Sequence, residues 1–306
     1  MAMRVLTLIA FVLLSLCAEA ADKLKVVTSI PDLADIARRI GGERVEVQSI
    51  CKGLENPHFV SIKPSHLVAM SRADVFVQVG LSLEVAFVPG LLENCGNPRI
   101  QPGRPGFINA SLGFAALDVP GAVDRKLGDV HPQGNPHLNL SVEGGESMAR
   151  NILAGLCAVD PAHKADYEAR HAVWTKEYEA AKLRWKKQAE SWKGRKVCVY
   201  HQEFTYLIRA YELNQIGSIE PKPGIPPTPS TLAELIRALR KETDVCLLAA
   251  AWARRSALEE VRDQAGVTLV ELPNMCHGLP GTESWIGMMD LLHKRLAEAF
   301  GQRKGS

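Results

Sequence analysis

The chain has 306 residues, of which 46% are apolar and 23% charged, the balance of a globular protein with a substantial core and not of a disordered one. Its formal charge of +2, with Lys and Arg spread along the sequence and not gathered in blocks, gives no sign of a nucleic-acid surface. At roughly 150 residues per domain the length suggests about two lobes.

Arg4, the apolar run from Val5 to Leu16 and the small-x-small triplet Ala18-Glu19-Ala20 read as an export signal over residues 1–20, with the mature chain starting near Ala21. The apolar run is shorter than the roughly 20 residues that a membrane-spanning helix needs. Leu14-Ser15-Leu16-Cys17 has the outline of a lipid-attachment sequence, but Leu16 is bulky where a small residue is preferred. Simple cleavage is therefore favoured over lipid anchoring through Cys17. Cys51, Cys95, Cys157, Cys198, Cys246 and Cys276 remain after cleavage. Export permits disulfides, and the sequence does not choose a pairing. With no C-x-x-C pair, a cysteine-rich zinc ribbon is excluded. Cys198 and Cys246 sit in apolar strand-like runs and read as buried small hydrophobes.

In chain order, residues 25–30 form a β-rich run, Pro31 opens a helix to Ile40, and residues 44–50 alternate as a strand before a loop. A short helix from Ser65 to Ser71 and a strand over residues 74–79 follow. The stretch between Pro102 and Gly134, rich in Gly, Pro and Asp, reads as irregular surface chain. From Pro161 to Trp192 the composition predicts one continuous helix, long enough to act as a strut between lobes and to pack Trp174, Trp185 and Trp192 onto them. The second half repeats the theme: strands over residues 196–200, 244–249 and 267–270, helices from about Glu203 and over Ser256–Ala265, and a closing helix from about Ser284 to Phe300. Strand-helix alternation of this kind predicts an α/β fold with parallel sheets covered by helices.

Three of the nine histidines share a setting in a loop or at a strand end. His58 and His137 each close an Asn-Pro-His tripeptide, in which Pro fixes the backbone beside a coordinating ring, and His201 follows the strand ending at Tyr200. His58 and His201 fall at carboxyl ends of strands, where open α/β sheets bind ligands. Three imidazoles and one further donor complete a tetrahedral zinc shell. The segment Glu271-Leu272-Pro273-Asn274-Met275-Cys276-His277 offers a carboxylate, a thiol and an imidazole for that fourth position. His66, His163, His171 and His293 fall on helices rich in charge and read as structural or solvated. His131 reads as an exposed loop histidine, with transient metal contact as its lesser alternative, and Glu203 as the acidic start of the helix after His201 in preference to a general base beside a metal-bound water.

At these residues the chain resembles the zinc- and manganese-binding solute receptors of bacterial ATP-binding-cassette importers, over nearly all of its mature length. Asn56-Pro57-His58 with Lys63-Pro64-Ser65 is similar to the family's first ligand loop. Val79-Gly80-Leu81-Ser82-Leu83-Glu84 is similar to its strand-turn-helix element, and Asn135-Pro136-His137 to its second ligand motif. His201-Gln202-Glu203-Phe204-Thr205-Tyr206 with Ala210-Tyr211 is similar to the third, and Ile219-Glu220-Pro221 through Pro229-Ser230 to the loop ahead of the next helix.

The resemblance implies two α/β lobes, residues 21–159 and 194–306, joined by one rigid helix over 160–193, with the metal in the cleft between them. It implies a monomeric periplasmic receptor, not an enzyme, that captures Zn2+ and delivers it to a membrane permease. Zn2+ is favoured over Mn2+ because His201 stands where the family's zinc receptors carry His and its manganese receptors Glu. The family's fourth ligand, an Asp after the last strand, has no counterpart here, since ungapped register from Ser284-Trp285 puts Pro273 near that slot. Glu271, Cys276 and His277 stay open, with His277 ahead because Gly278 would let the backbone turn the ring inward. The long histidine-rich loop of many zinc receptors is reduced to the stretch holding His131.

Two rival readings come from other classes. A zinc hydrolase would keep an open water position beside three histidines, but the chain has no H-E-x-x-H, no G-x-S-x-G and no H-x-E with a downstream C-x-x-C. In a surface adhesin the metal would be structural, and its removal would unfold the chain.

Overall fold

The structure, a computed structural model, describes residues 22–121, 131–220 and 224–301. The export signal, Cys17 and Pro221 lie outside the described residues. Two four-stranded sheets, parallel throughout, make the framework. The first contains β1 (Leu24–Thr28), β2 (Val45–Ser49), β3 (Val75–Gln78) and β4 (Phe107–Asn109), in the order β2-β1-β3-β4. The second contains β5 (Lys196–Val199), β6 (Asn214–Ser218), β7 (Cys246–Ala250) and β8 (Thr268–Leu272), in the equivalent order β6-β5-β7-β8. The central strands β3, with Val75, Phe76 and Val77, and β7, along its whole length, are buried apolar runs, as parallel strands covered on both faces must be.

The helices are α1 (Pro31–Gly41), α2 (Pro64–Arg72), α3 (Val88–Asn94), α4 (Val142–Val159), α5 (Lys164–Gln188), α6 (Thr205–Ala210), α7 (Pro229–Leu239), α8 (Arg255–Ala265) and α9 (Trp285–Gly301). Their starts follow local chemistry. Pro opens α1, α2 and α7, where its missing N–H removes a donor that has no partner in the first turn. The Ser141 hydroxyl accepts from the Gly144 N–H at the head of α4, and Thr228 does the same for the Thr231 N–H at α7. α8 ends on Gly266 in the left-handed region, at φ 69°.

The segment predicted as one long helix is α-helical over Lys164–Gln188 and tightens to 3-10 turns at Pro161–His163 and Ala189–Ser191. Its α-helical part spans about 37 Å at roughly 1.5 Å per residue. Trp174, Trp185 and Trp192 are all buried. Trp174 stacks on Tyr178 at 5.1 Å, while Trp174 and Trp185 both meet Trp285 at the head of α9. Trp285 is held from two further sides: its backbone N–H donates to Asp35 of α1 at 2.8 Å, and its indole N–H to the Asn139 carbonyl at 2.7 Å. The result is one hydrophobic core that includes β1 and β3 of the first sheet, α5, α9 and the β5 and β7 side chains Val197, Val199 and Leu248 of the second. Large apolar contact between two lobes resists hinge opening.

Several elements escape the sequence reading, among them α3 and α4. β4 lies inside the stretch read as irregular; three residues are too few to show a period. β6 reads Asn-Gln-Ile-Gly-Ser, an edge strand with little apolar signal. The head of α4 is masked by Gly144 and Gly145, which the fold requires: an added Cβ would lie 1.8 Å from the Leu138 carbonyl oxygen at Gly144 and 2.1 Å from the Trp285 ring at Gly145. None of the six described cysteines is in a disulfide, and Cys198 and Cys246 are buried in β5 and β7.

Candidate metal centre

Both Asn-Pro-His tripeptides fold the same way. The Asn56 side-chain oxygen accepts the His58 backbone N–H at 2.9 Å, and the Asn135 oxygen accepts the His137 N–H at 3.0 Å. Each is a side-chain turn closed two residues on, with Pro holding φ in between. His201 continues from β5 in extended geometry, at φ −131° and ψ 165°. The three loops leave the carboxyl ends of β2, β4 and β5, and they converge.

His58, His137 and His201 each present one ring nitrogen, and these nitrogens all lie within 4.8 Å of one another. Ring centroids are 5.0 to 5.3 Å apart. In a tetrahedral site with Zn–N of about 2.0–2.1 Å, the nitrogens would stand about 3.3–3.4 Å apart, so the rings need only a small closure to share an ion. All three are buried, at 6%, 5% and 3% exposure, which removes solvation as the role of their free nitrogens.

Outer partners aim two of the rings. His137 Nδ1 lies 2.9 Å from Asn135 Oδ1, the same oxygen that holds its backbone. His201 Nδ1 lies 3.1 Å from Glu220 Oε2. In a neutral ring the proton then sits on Nδ1 and the Nε2 lone pair faces the cluster. The Nε2 atoms of His58 and His137 approach to 3.0 Å, an arrangement that a cation between them would satisfy. Asn135 also reaches the other half of the site: its amide donates to the Gln202 carbonyl at 2.8 Å and to Thr205 Oγ1 at 3.1 Å, just after His201.

Burial pushes the pKa of His58 and His137 well below 6.5, and neighbouring imidazoles push in the same direction. Both rings are therefore neutral at pH 7 and need lose no proton to bind a metal. Glu203, read from sequence as a helix-starting carboxylate, is buried in the 3-10 turn Gln202–Phe204, where its Oε1 accepts the Ala250 N–H at 3.3 Å. Burial raises its pKa to about 7.

The expected fourth donors do not join the group. Glu271 carries an ion pair with Arg255 at 3.5 Å. Cys276 is buried, and burial keeps its thiol protonated well above the ordinary range. His277 is exposed, and the reason offered for turning it inward is reversed. His277 itself takes the left-handed backbone at φ 61°, its N–H donates to the Thr282 carbonyl at 2.7 Å, and Gly278 serves close packing, with an added Cβ 2.7 Å from the Gly53 carbonyl oxygen. The backbone of this loop is tied down instead by Asp32, which accepts the Cys276 N–H at 3.1 Å and the Asn139 amide at 3.2 Å.

Sequence reasoning missed one residue and gave another at most a transient role. Glu220 behind His201 is visible only once β5 and β6 pair. His131, read as exposed, is only partly so; its ring stacks on His58 at 5.2 Å, and burial lowers its pKa to about 4.

Known proteins share this arrangement of sheets and helices. The chain is similar to the manganese ABC transporter substrate-binding lipoprotein PsaA of Streptococcus pneumoniae, at 28% identity over 72% of this chain and 70% of that protein. It is similar to the iron ABC transporter substrate-binding lipoprotein MtsA of Streptococcus pyogenes serotype M1, at 25% identity over 81% of this chain and 79% of that one. A crystal structure of ZnuA superposes with a TM-score of 0.76 and 23% identity, covering 91% of this chain and 99% of that one. A periplasmic metal binding protein from Candidatus Liberibacter asiaticus superposes at 0.73 with 15% identity, covering 91% and 100%. The family described as zinc-uptake complex component A, periplasmic, matches residues 26–299. With its two parallel sheets, its long helix and that match, the chain belongs to the ZnuA family and is a metal-binding receptor of an ABC importer, not an enzyme.

Proposed function

We propose that this receptor captures Zn2+ through His58, His137 and His201 and delivers it, as a monomer, to the membrane permease of its importer. The observation that carries the reading is the make-up of the buried group, three imidazoles and no carboxylate among the described residues. Nitrogen donors suit zinc, whereas Mn2+ favours carboxylate and other oxygen ligands. Relatives named for manganese and iron make selectivity the point to test. The metal-free chain, exposed to equimolar Zn2+ and Mn2+ and desalted, should retain about one zinc per chain by elemental analysis. Preferential retention of manganese would overturn the zinc assignment while leaving the receptor role intact.

The family places the protein outside the cytoplasm. The streptococcal relatives are named lipoproteins, which supports Cys17 as an anchoring residue and weakens the earlier preference for simple cleavage. Mass spectrometry of the mature N-terminus separates a chain starting at Ala21 from one starting at a lipid-modified Cys17.

A further inference from the structure

Three imidazoles leave one corner of a tetrahedron open, and Glu271, Cys276 and His277 of the loop after β8 do not join the group that would fill it. His131 faces that cluster from another side. Its ring lies 5.2 Å from His58, nearly parallel at 28°, and 6.5 Å from His137, nearly perpendicular at 88°. His131 Nε2 is buried and has no hydrogen-bond partner among the described residues. The ring bonds instead to the backbone of Ser82, in the sense that favours an N–H donor. Nδ1 then carries the proton and Nε2 keeps its lone pair.

A buried acceptor without a partner is costly, and in a native fold it calls for an explanation such as an ion. The surroundings hold the residue in place. The Gly134 N–H closes a turn on the His131 carbonyl at 3.0 Å. On the other side Leu81 and Ser82 adopt left-handed φ values of 52° and 66°, a conformation uncommon outside glycine. Strained backbone of this kind clusters at ligand clamps. Sequence places His131 six residues before His137, beyond an Asn-Pro turn, so the two rings can approach one point from different directions.

We infer that His131 is the fourth donor to the cargo metal, rotating about its side-chain torsions from its place against His58 into the open corner, so that the bound ion has four imidazole ligands. This rests on the metal-receptor reading above and adds to it. The His131 ring nitrogens lie outside the group of donor atoms that stand within 4.8 Å of one another, so the rotation is needed to complete the shell. Four neutral nitrogens suit Zn2+ and offer no oxygen to Mn2+.

The test is X-ray absorption spectroscopy on the zinc-loaded mature chain, its His131→Ala and His131→Gln variants, and His277→Ala as a control, with apo melting curves to verify folding. Expected are four imidazoles in the parent and in His277→Ala, three imidazoles with one oxygen donor in both His131 variants, and zinc affinity in those variants lowered by tenfold or more in chelator competition. Three imidazoles in the parent with unchanged spectra in the variants would overturn the role of His131 and leave the receptor reading standing. Four imidazoles persisting in the His131 variants would overturn it equally. A parent chain that takes up no zinc would remove both.

Discussion

The histidine cluster and the loop after β8 are both rich in metal-ligating residues, yet among the described residues only the cluster brings its donor atoms within 4.8 Å of one another. In the cluster, Asn135 and Glu220 hold the outer nitrogens of His137 and His201, which turns the inner nitrogens toward a shared point. In the loop, the backbone polar groups near Cys276 and His277 bond to Asp32 and Thr282, while Glu271 is ion-paired, His277 is exposed and the Cys276 thiol is buried and kept protonated. Ligand chemistry is thus a matter of which atoms the fold leaves without partners, not of which residue types are present.

That contrast is open to attack, first through the rings themselves. Replacing His137 or His201 by Ala should reduce zinc affinity by well over the ~100-fold upper range of an outer-shell change, measured by competition with a chromophoric chelator. Retention of parental affinity by either variant would break the assignment. Next come the groups behind the rings: Glu220→Gln and Asn135→Ala should weaken binding by about 10–100-fold while the apo chain still folds.

The loop should respond in the opposite sense. Asp32→Ala leaves the Cys276 N–H without its acceptor and the Asn139 amide with only the Asn274 carbonyl, and should destabilise the apo chain by about 2–4 kcal/mol in urea unfolding. Its effect on zinc affinity should be smaller than that of either ring. The smallest effect is expected from Glu271→Ala and His277→Ala, which should each change affinity by less than about threefold, because surface changes rarely exceed ±0.5 kcal/mol.

The pH profile sharpens the same comparison. Ordinary histidine titrates near 6.5, and a site built on unperturbed imidazoles would lose zinc as pH falls through that value. Burial lowers the pKa of His58 and His137 well below it, so these two rings keep their neutral, metal-binding form to more acidic pH than an ordinary histidine does. Their effect on apo stability has the other sign. As pH drops below about 6.5 the unfolded chain takes up protons that the folded rings refuse, so apo stability declines. A zinc affinity already falling steeply between pH 7 and 6.5 would contradict the buried setting of His58 and His137.

The sequence by itself determined the alternation of strands and helices, the long helix before β5, and the three histidines, because each leaves a local mark: apolar period, composition, or a Pro beside a ligand at a strand end. Even the paired Asn-Pro-His turns are local, since each Asn oxygen closes on a backbone two residues away. Only the tertiary structure decided what lies behind and opposite those rings. Glu220 reaches His201 because β6 pairs with β5, and His131 reaches His58 because the turn at Gly80–Ser82 and the loop before His137 meet there. His277 is turned away by its own left-handed backbone and by the contact of Gly278 with Gly53, across more than two hundred residues of chain. Donor type is written in the residues; whether a donor atom is free depends on partners that come from distant parts of the chain and meet only in the fold.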